Sequence, residues 1–302
     1  MLANRNKARK TVEPTHCSPA RFENAKRIGS CLDENDVREL AREMSITMMP
    51  DPSELLMQLH RRFGTRPGEE SRWLEMNGVN IRPSVRRLLE AAFRPAKPRT
   101  WDKNPKAWLS NYDIEAVLKQ YQDHLGKSRR FRFVGVFPRD FASPADGMFR
   151  ASNSCVSQAM CRLSVASLRA EGISQIGIVF NLDKHNSKGS HWTAMYACID
   201  WDARVPERFG AFYYDSIGRR PPPEMTAFAH RLRDEVADPR FVVASNGIQK
   251  QFGNTECGVF AIFFIVACLQ TDMPFRAICK DLVKRDAEMH VLRSVMFRPN
   301  VL

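Results

Sequence analysis

An uncharged run of thirteen residues, Cys257–Leu269, directly follows the polar loop QFGNTE. A helix that crosses a membrane needs about 20 apolar residues, so this run indicates a helix buried inside a protein core. The chain of 302 residues is long enough to build such a core. We therefore expect the cysteine to lie where the loop becomes the first turn of a buried helix.

The first hundred residues have the periodicity of amphipathic helices. Apolar residues recur at helical spacing from Val37 to Met44 and again from Val85, where Ser84 is expected to act as the cap. The motif RPAKPRT, residues 94–100, then carries two prolines and three basic residues. This composition predicts a linker between a helical N-terminal domain, residues 1–93, and a second domain, residues 101–302.

The second domain mixes helical and strand-like segments. A helix is expected after Ser110, which stands three residues before Asp113 as in a capping box. Three runs, IGIVFNL, HWTAMYACID and FGAFYYDS, have strand character, and FVVAS forms a shorter one. Helical segments precede and follow these strands. The order predicts an α+β catalytic-type domain with a small central sheet flanked by helices.

Charge and cysteine content narrow the class of protein. The net charge of +12 is consistent with a solvated basic surface or with attraction to nucleic acid, which would be non-specific. The eight cysteines include no C-x-x-C pair, so we expect no zinc site, no dense disulfide framework and a reducing compartment. The basic start MLANRNKARK does not predict a secretory signal, and we expect no membrane partner.

Cys257 is the first candidate for chemistry. The unpaired N–H groups and the positive end of the dipole at a helix start favour a thiolate, which is the nucleophilic form of cysteine. Alternatively, Cys257 is only a small buried hydrophobic residue, as Cys268 and Cys279 are expected to be.

A nucleophilic thiol needs a base and a group that orients the base. His191 begins an apolar strand, and Asp215 ends the next one. The aspartate could equally be a turn residue or a helix cap. The other histidines fall in the N-terminal segment, in a polar loop, or on the polar faces and ends of helices: His16, His185, His60, His124, His230 and His290.

A tetrahedral intermediate also needs hydrogen-bond donors for its oxyanion. Gln251 lies six residues before Cys257 and can supply its side-chain amide, while the Cys257 backbone N–H can supply a second donor. Gln249 is the alternative, and either glutamine could simply be a solvated loop residue.

Four stretches resemble a known family. In chain order they are WLSNYDI, SHWTAMYACID, YYDSIG and QFGNTECGVF. They are similar to motifs of the clan that contains adenovirus protease and the SUMO-specific proteases, and they follow the order of that family. WLSNYDI and the long N-terminal extension most resemble the polyprotein proteases of African swine fever virus and related large DNA viruses. The resemblance covers about residues 100–270 and implies a SUMO-protease-like domain with a small central mixed sheet.

The resemblance also implies roles for single residues. Cys257 would be the nucleophile, His191 the general base and acid, and Asp215 the orienting group. Gln251 would be the oxyanion donor.

For substrate binding, the resemblance implies that Trp108 and Trp192 close a narrow tunnel over small substrate residues. Asn111 stands where SUMO proteases have an aspartate that helps to grip the partner protein. Asp215 stands where the African swine fever type has asparagine.

The leading interpretation is a viral cysteine endopeptidase that cleaves structural polyproteins after Gly-Gly, in the host cytoplasm and in the virion. It would need no metal and no organic cofactor. The alternatives are an isopeptidase for SUMO- or ubiquitin-like conjugates, an acyltransferase, and an inactive basic virion protein that binds nucleic acid.

Overall fold

A computed structural model of the protein describes residues 16–23, 29–76, 82–143 and 155–300. These residues form two compact units. One runs up to Arg99 and includes the residues from Ser294 onward, and the other spans Thr100–Arg293. Within the described part of the chain, no helix is both long enough and apolar enough to cross a bilayer.

The first unit is helical, as predicted. Its helices are α1 (Glu34–Glu43), α2 (Pro52–Phe63) and α3 (Pro83–Ala92), with 3-10 turns at Pro19–Arg21 and Glu70–Leu74. Their apolar faces pack around Trp73, which is fully buried. The helix α3 begins at Pro83, so the predicted Ser84 cap is wrong: proline occupies the first helical position, where its missing N–H costs nothing.

One further expectation for the first unit is corrected, and one bond was not expected. Cys17 and Cys31 form a disulfide, which as a single bond is compatible with the predicted lack of a dense framework. His60 is buried rather than on a polar helix face, because its ring bonds to Thr65 Oγ1 at 2.9 Å and lies 3.3 Å from Glu70 Oε1.

The predicted linker, residues 94–100, belongs almost entirely to the first unit, which extends to Arg99. The backbone N–H of Arg94 bonds to His16, and the N–H of Lys97 bonds to the carbonyl of Arg298. These hydrogen bonds fix the segment in spite of its prolines. The predicted second domain spans residues 101–302, but the observed second unit ends at Arg293. The residues from Ser294 onward group with the first unit, to which the bond between Lys97 and Arg298 ties them.

The second unit contains the predicted sheet. Its strands are β1 (Phe131–Pro138), β2 (Gln175–Asn181), β3 (Trp192–Cys198), β4 (Gly210–Tyr214) and β5 (Val242–Ser245). They lie in the order β1-β2-β3-β4-β5. The outer pairs, β1 with β2 and β4 with β5, are parallel, whereas the two inner pairs are antiparallel. The α+β class with a small mixed sheet is confirmed.

Several helices pack on the two faces of the sheet. The helices after residue 100 are α4 (Asn111–Arg129), α5 (Gln158–Arg162), α6 (Val165–Ala170), α7 (Pro223–Val236), α8 (Cys257–Gln270), α9 (Phe275–Ala277) and α10 (Asp286–Met296). A π-helical turn spans Ile278–Leu282, and 3-10 turns span Arg99–Asp102 and Pro206–Arg208. Cys155, which precedes α5, forms a disulfide with Cys161 within that helix.

Side chains that alternate along the strands divide between two cores. Met195 and Tyr213 pack against Phe228 and Leu232 of α7 on one face. On the other face Tyr214 stacks on Phe264 of α8, with ring centroids 4.7 Å apart. The apolar run is therefore a helix that packs on the centre of the sheet, as predicted.

Candidate active site

Cys257 is the first residue of α8, and its side chain is only 2% exposed. No side chain caps this helix start among the described residues. The unpaired N–H groups of the first turn therefore remain available near the thiol, together with the positive end of the helix dipole. This is the position that the sequence predicted.

His191 and Asp215 meet because their strands are antiparallel neighbours. His191 immediately precedes β3 and Asp215 immediately follows β4, so the start of one strand lies beside the end of the other. His191 Nε2 is 2.7 Å from Asp215 Oδ1, and the aspartate is fully buried. The carboxylate thus fixes one ring nitrogen and leaves Nδ1 for another partner.

The thiol of Cys257 also interacts with the imidazole of His191 and, with Asp215, raises its pKa. Burial lowers the pKa of His191, but the hydrogen bonds and charges of Asp215 and Cys257 outweigh burial and raise it to about 9. A protonated imidazole beside a thiol favours the ion pair that a cysteine nucleophile uses.

We expect Asp215→Asn to lower the pKa of His191, because the amide keeps a hydrogen-bond acceptor but removes the negative charge. In the wild type the imidazolium persists up to about pH 9 and is lost above it. In the variant the proton should leave at lower pH, and the alkaline limb of peptidase activity should move in the same direction. Titration of the histidine ring by NMR measures the shift. An unchanged His191 titration would contradict the role of the charge.

A second His–Asp pair lies nearby, at the side chains of His185 and Asp140. His185 Nδ1 is 2.7 Å from Asp140 Oδ2, and the His185 N–H donates to the same carboxylate. This pair lowers the pKa of Asp140, whose burial alone would raise it. Of these two histidines, His191 is the one whose pKa Cys257 raises, which distinguishes it from His185.

Gln251 is buried in the loop between β5 and α8, whereas Gln249 is exposed. Its Oε1 accepts a hydrogen bond from Ser216 Oγ at 2.6 Å, and its Nε2 donates to the Gly253 carbonyl at 3.0 Å. One amide hydrogen of Gln251 remains for a further acceptor. Gln249 Nε2 donates to the Gln251 carbonyl at 2.9 Å, so the alternative glutamine supports the backbone of the first.

Several supporting residues were not predicted from the sequence. Asn246 bonds to both the N–H and the carbonyl of Asp215, at 2.8 and 2.7 Å. Asp286, the first residue of α10, accepts hydrogen bonds from the N–H groups of Phe252 and Gly253. Both residues hold the backbone on which catalytic candidates lie, and each is more than thirty residues from its partner along the chain. Local sequence patterns carry no signal for such contacts.

Glu256, directly before Cys257, would oppose a thiolate if its charge were uncompensated. It is buried, and Arg293 Nε donates to it at 2.7 Å. The same arginine donates to the Ala107 carbonyl at 2.7 Å and stacks over Trp101. The ion pair thus compensates the carboxylate and ties the start of α8 to the segment that precedes Trp108.

The predicted substrate residues Trp108, Asn111 and Trp192 line one cleft of about 480 Å³. Trp108 is 41% exposed, whereas Trp192 is largely buried and donates from Nε1 to the Leu109 carbonyl at 3.0 Å. The capping box of Ser110 with Asp113 fixes the start of α4 beside the cleft. We refer to this space as the tryptophan cleft.

Gly258 lets the start of α8 approach the tryptophan cleft closely. A Cβ at this position would lie 3.2 Å from Leu109 and 3.3 Å from Trp192. Because both neighbours are packed side chains, glycine is needed directly after the thiol. This explains the Cys-Gly pair in physical terms.

A buried thiol at a helix start, which interacts with an imidazole that a buried carboxylate fixes, indicates the class of cysteine proteases. No family model matches the chain. It is similar to a protein of Acanthamoeba polyphaga mimivirus assigned to the thiol proteases, with 27% identity over 265 residues, which cover 84% of this chain and 77% of the relative.

A SUMO-1 cysteine protease of African swine fever virus is 28% identical over 125 residues, which cover 40% of this chain and 43% of that protein. The crystal structure of the African swine fever virus protease has the same fold, with a TM-score of 0.61 and 18% identity over 96% of this chain and 98% of that one. The protein is therefore a cysteine protease that shares the fold of the African swine fever virus enzyme, and the resemblance stated from the four motifs is confirmed.

Proposed function

We propose that the protein is a viral cysteine endopeptidase that cleaves structural polyproteins during virion assembly, with Cys257 as nucleophile. The observation that carries the proposal is the hydrogen bond of His191 to the buried Asp215, together with the thiol of Cys257 that interacts with the same imidazole and the buried amide of Gln251. Each of these groups has a part in thiol catalysis, and a purely structural protein would not need all of them together.

The proposed reaction begins from the ion pair in which the Cys257 proton already resides on His191. The thiolate attacks the scissile carbonyl, and the oxyanion accepts hydrogen bonds from the Gln251 amide and the Cys257 backbone N–H. His191 then gives its proton to the leaving amine, which frees the C-terminal product and leaves a thioester. His191 next deprotonates a water molecule, whose attack on the thioester releases the acid and restores the thiol.

For the substrate, we propose Gly-Gly directly before the scissile bond. Trp192 follows His191 in the chain, so its indole lies close to the reacting groups, and Trp108 lines the same cleft. Between two indoles there is room for a backbone with minimal side chains. The close packing of Gly258 against Trp192 limits how far that ring can retreat.

We expect peptides with Gly-Gly before the cut to be hydrolysed about ten- to a hundredfold faster than peptides with Ala-Ala. An added methyl group in a tightly packed site costs roughly 1–3 kcal/mol. The measurement is kcat/KM for a matched set with Gly-Gly, Gly-Ala, Ala-Gly and Ala-Ala. Equal values for Gly-Gly and Ala-Ala would remove the narrow tunnel from the proposal.

We propose that the enzyme acts in the host cytoplasm and in the virion, on viral protein substrates. The similarity to viral proteases supports this setting. The net charge of +12 is compatible with non-specific contact with nucleic acid inside a particle.

An isopeptidase for SUMO- or ubiquitin-like conjugates is the second candidate, because one relative carries SUMO-1 in its name. The endopeptidase proposal is favoured by Asn111, because its side chain at the start of α4 has no carboxylate to bind such a partner. Fluorogenic SUMO and ubiquitin conjugates, compared with short Gly-Gly peptides, distinguish the two. Hydrolysis of the conjugates at a much higher kcat/KM would favour the isopeptidase.

A further inference from the structure

We propose that the tryptophan cleft selects substrates with an acidic side chain on the N-terminal side of the scissile bond, and that Lys184 and Lys188 recognise its carboxylate. The inference rests on the proposed function, because it assumes that the peptide before the cut runs along the cleft.

The two lysines belong to the loop between β2 and β3, and both line the cleft. Both are exposed, and neither forms an ion pair within the described residues. The neighbouring carboxylates are already engaged, Asp140 by His185 and Asp183 by the Ser190 hydroxyl at 2.8 Å. Neither carboxylate therefore forms a direct ion pair with the two ammonium groups, which line the cleft.

The loop that carries the lysines is fixed at its base. Asn181 Oδ1 accepts hydrogen bonds from the N–H groups of Asp183 and Ser190, at 2.9 and 3.4 Å. The N–H of Leu182 bonds to the carbonyl of His191 at 3.0 Å. Gly189 has a φ of +90° and packs so tightly on Asn181 that a Cβ would lie 2.5 Å from its amide nitrogen.

A second anchor lies near the tip of the loop, where Asp140 binds both the N–H and the ring of His185. Because the backbone is held on both sides of the lysines, little backbone entropy is lost when they meet a carboxylate. Preorganisation of this kind turns exposed charges into a specificity element.

The cleft is also suitable for a peptide in its size and lining. Its volume of about 480 Å³ falls within the usual range of ligand pockets. Phe137 and Trp192 supply apolar walls, while the lysines supply the charge. Trp192 is next to His191 in the chain, so the Gly-Gly pair of a bound peptide would lie at the Trp192 end of the cleft. The peptide residues that precede the pair would extend along the cleft from there, at about 3.3 Å per residue.

The test is a scan of one glutamate through the third to the sixth residue before the cut in an otherwise uncharged Gly-Gly peptide. Exposed ion pairs are modest, so we expect kcat/KM to rise roughly two- to fivefold at the best position at low salt, and the gain to fall as salt is added. In Lys184→Glu or Lys188→Glu the gain should disappear, and a lysine at the same peptide position should be preferred.

The matched control is Lys127→Glu, which makes the same change in net charge. Lys127 is exposed and lies sixteen residues after Asn111 on α4, about 24 Å along the helix from the cleft. This variant should keep the preference for glutamate. If the wild type cleaves the uncharged peptide and glutamate does not change kcat/KM at any position, the inference about the lysines is overturned and the proposed function is not. Cleavage of no peptide by the wild type would overturn the proposed function as well.

Discussion

Cys257→Ala and His191→Ala are each expected to lower kcat/KM for a Gly-Gly peptide by about 10⁴-fold or more, with the fold retained. The first removes the nucleophile and the second removes the base, and loss of either member of such a pair is nearly as damaging as loss of both. The double variant should therefore be little worse than either single one. Peptide hydrolysis measures the loss, and circular dichroism reports the fold.

Cys198→Ala and His124→Ala are suitable controls for these variants. Cys198 ends the strand that Trp192 begins, which places it about 20 Å from the reacting end. His124 is exposed on α4. Both variants should retain activity close to that of the wild type. If Cys257→Ala remained active while one of these controls was inactive, the assignment of the nucleophile or the base would be wrong.

Gln251→Ala is expected to lower kcat by about 100- to 1000-fold and to change KM little, because its amide is needed most in the transition state. Gln249→Ala is the matched comparison, since it removes the same group two residues earlier. It breaks one hydrogen bond to the Gln251 carbonyl, so we expect a loss of less than about tenfold. The kcat and KM of both variants on one Gly-Gly peptide make the comparison.

A larger loss in Gln249→Ala than in Gln251→Ala would reverse the assignment of the oxyanion donor. The Ser216 hydroxyl, which holds Gln251 Oε1, gives an independent check. In Ser216→Ala the Gln251 amide should be less well oriented, and activity should fall between the values of the two glutamine variants.

The position of each candidate residue within its own helix or strand could be predicted from the sequence. Cys257 opens an apolar run, His191 precedes a strand, and Asp215 follows one, so periodicity alone placed each of them at the end of an element. Their meeting required the antiparallel pairing of β3 with β4, which the structure shows. The choice of Gln251 over Gln249 as the candidate oxyanion donor rests on their burial and hydrogen bonds, which the sequence does not show.

Features that depend on contacts between distant residues could not be predicted from the sequence. No sequence pattern marked β1, because one residue separates it from α4 and it contains Gly135. Its partner β2 also lies about forty residues further along the chain. The proline and basic residues of the predicted linker do not reveal the hydrogen bond from the Lys97 N–H to the Arg298 carbonyl. Asp286 and Arg293 support the loop and helix around Cys257 from a distant helix, so no local pattern marks them.

The most direct test of the central claim is to find which residue a mechanism-based probe modifies. The probe is a peptide that ends in Gly-Gly vinyl sulfone, incubated with the wild-type protein near pH 7 and followed by digestion and mass spectrometry. Burial raises the pKa of Cys198, of Cys268 and of Cys279, the last to about 12, so these thiols should stay unreactive. Only Cys257 has an imidazolium partner among the free cysteines described.

We predict a single adduct on Cys257 that forms far more slowly in His191→Ala. An adduct on another cysteine, or an equal rate of labelling in His191→Ala, would contradict the account of Cys257 as a nucleophile activated by His191.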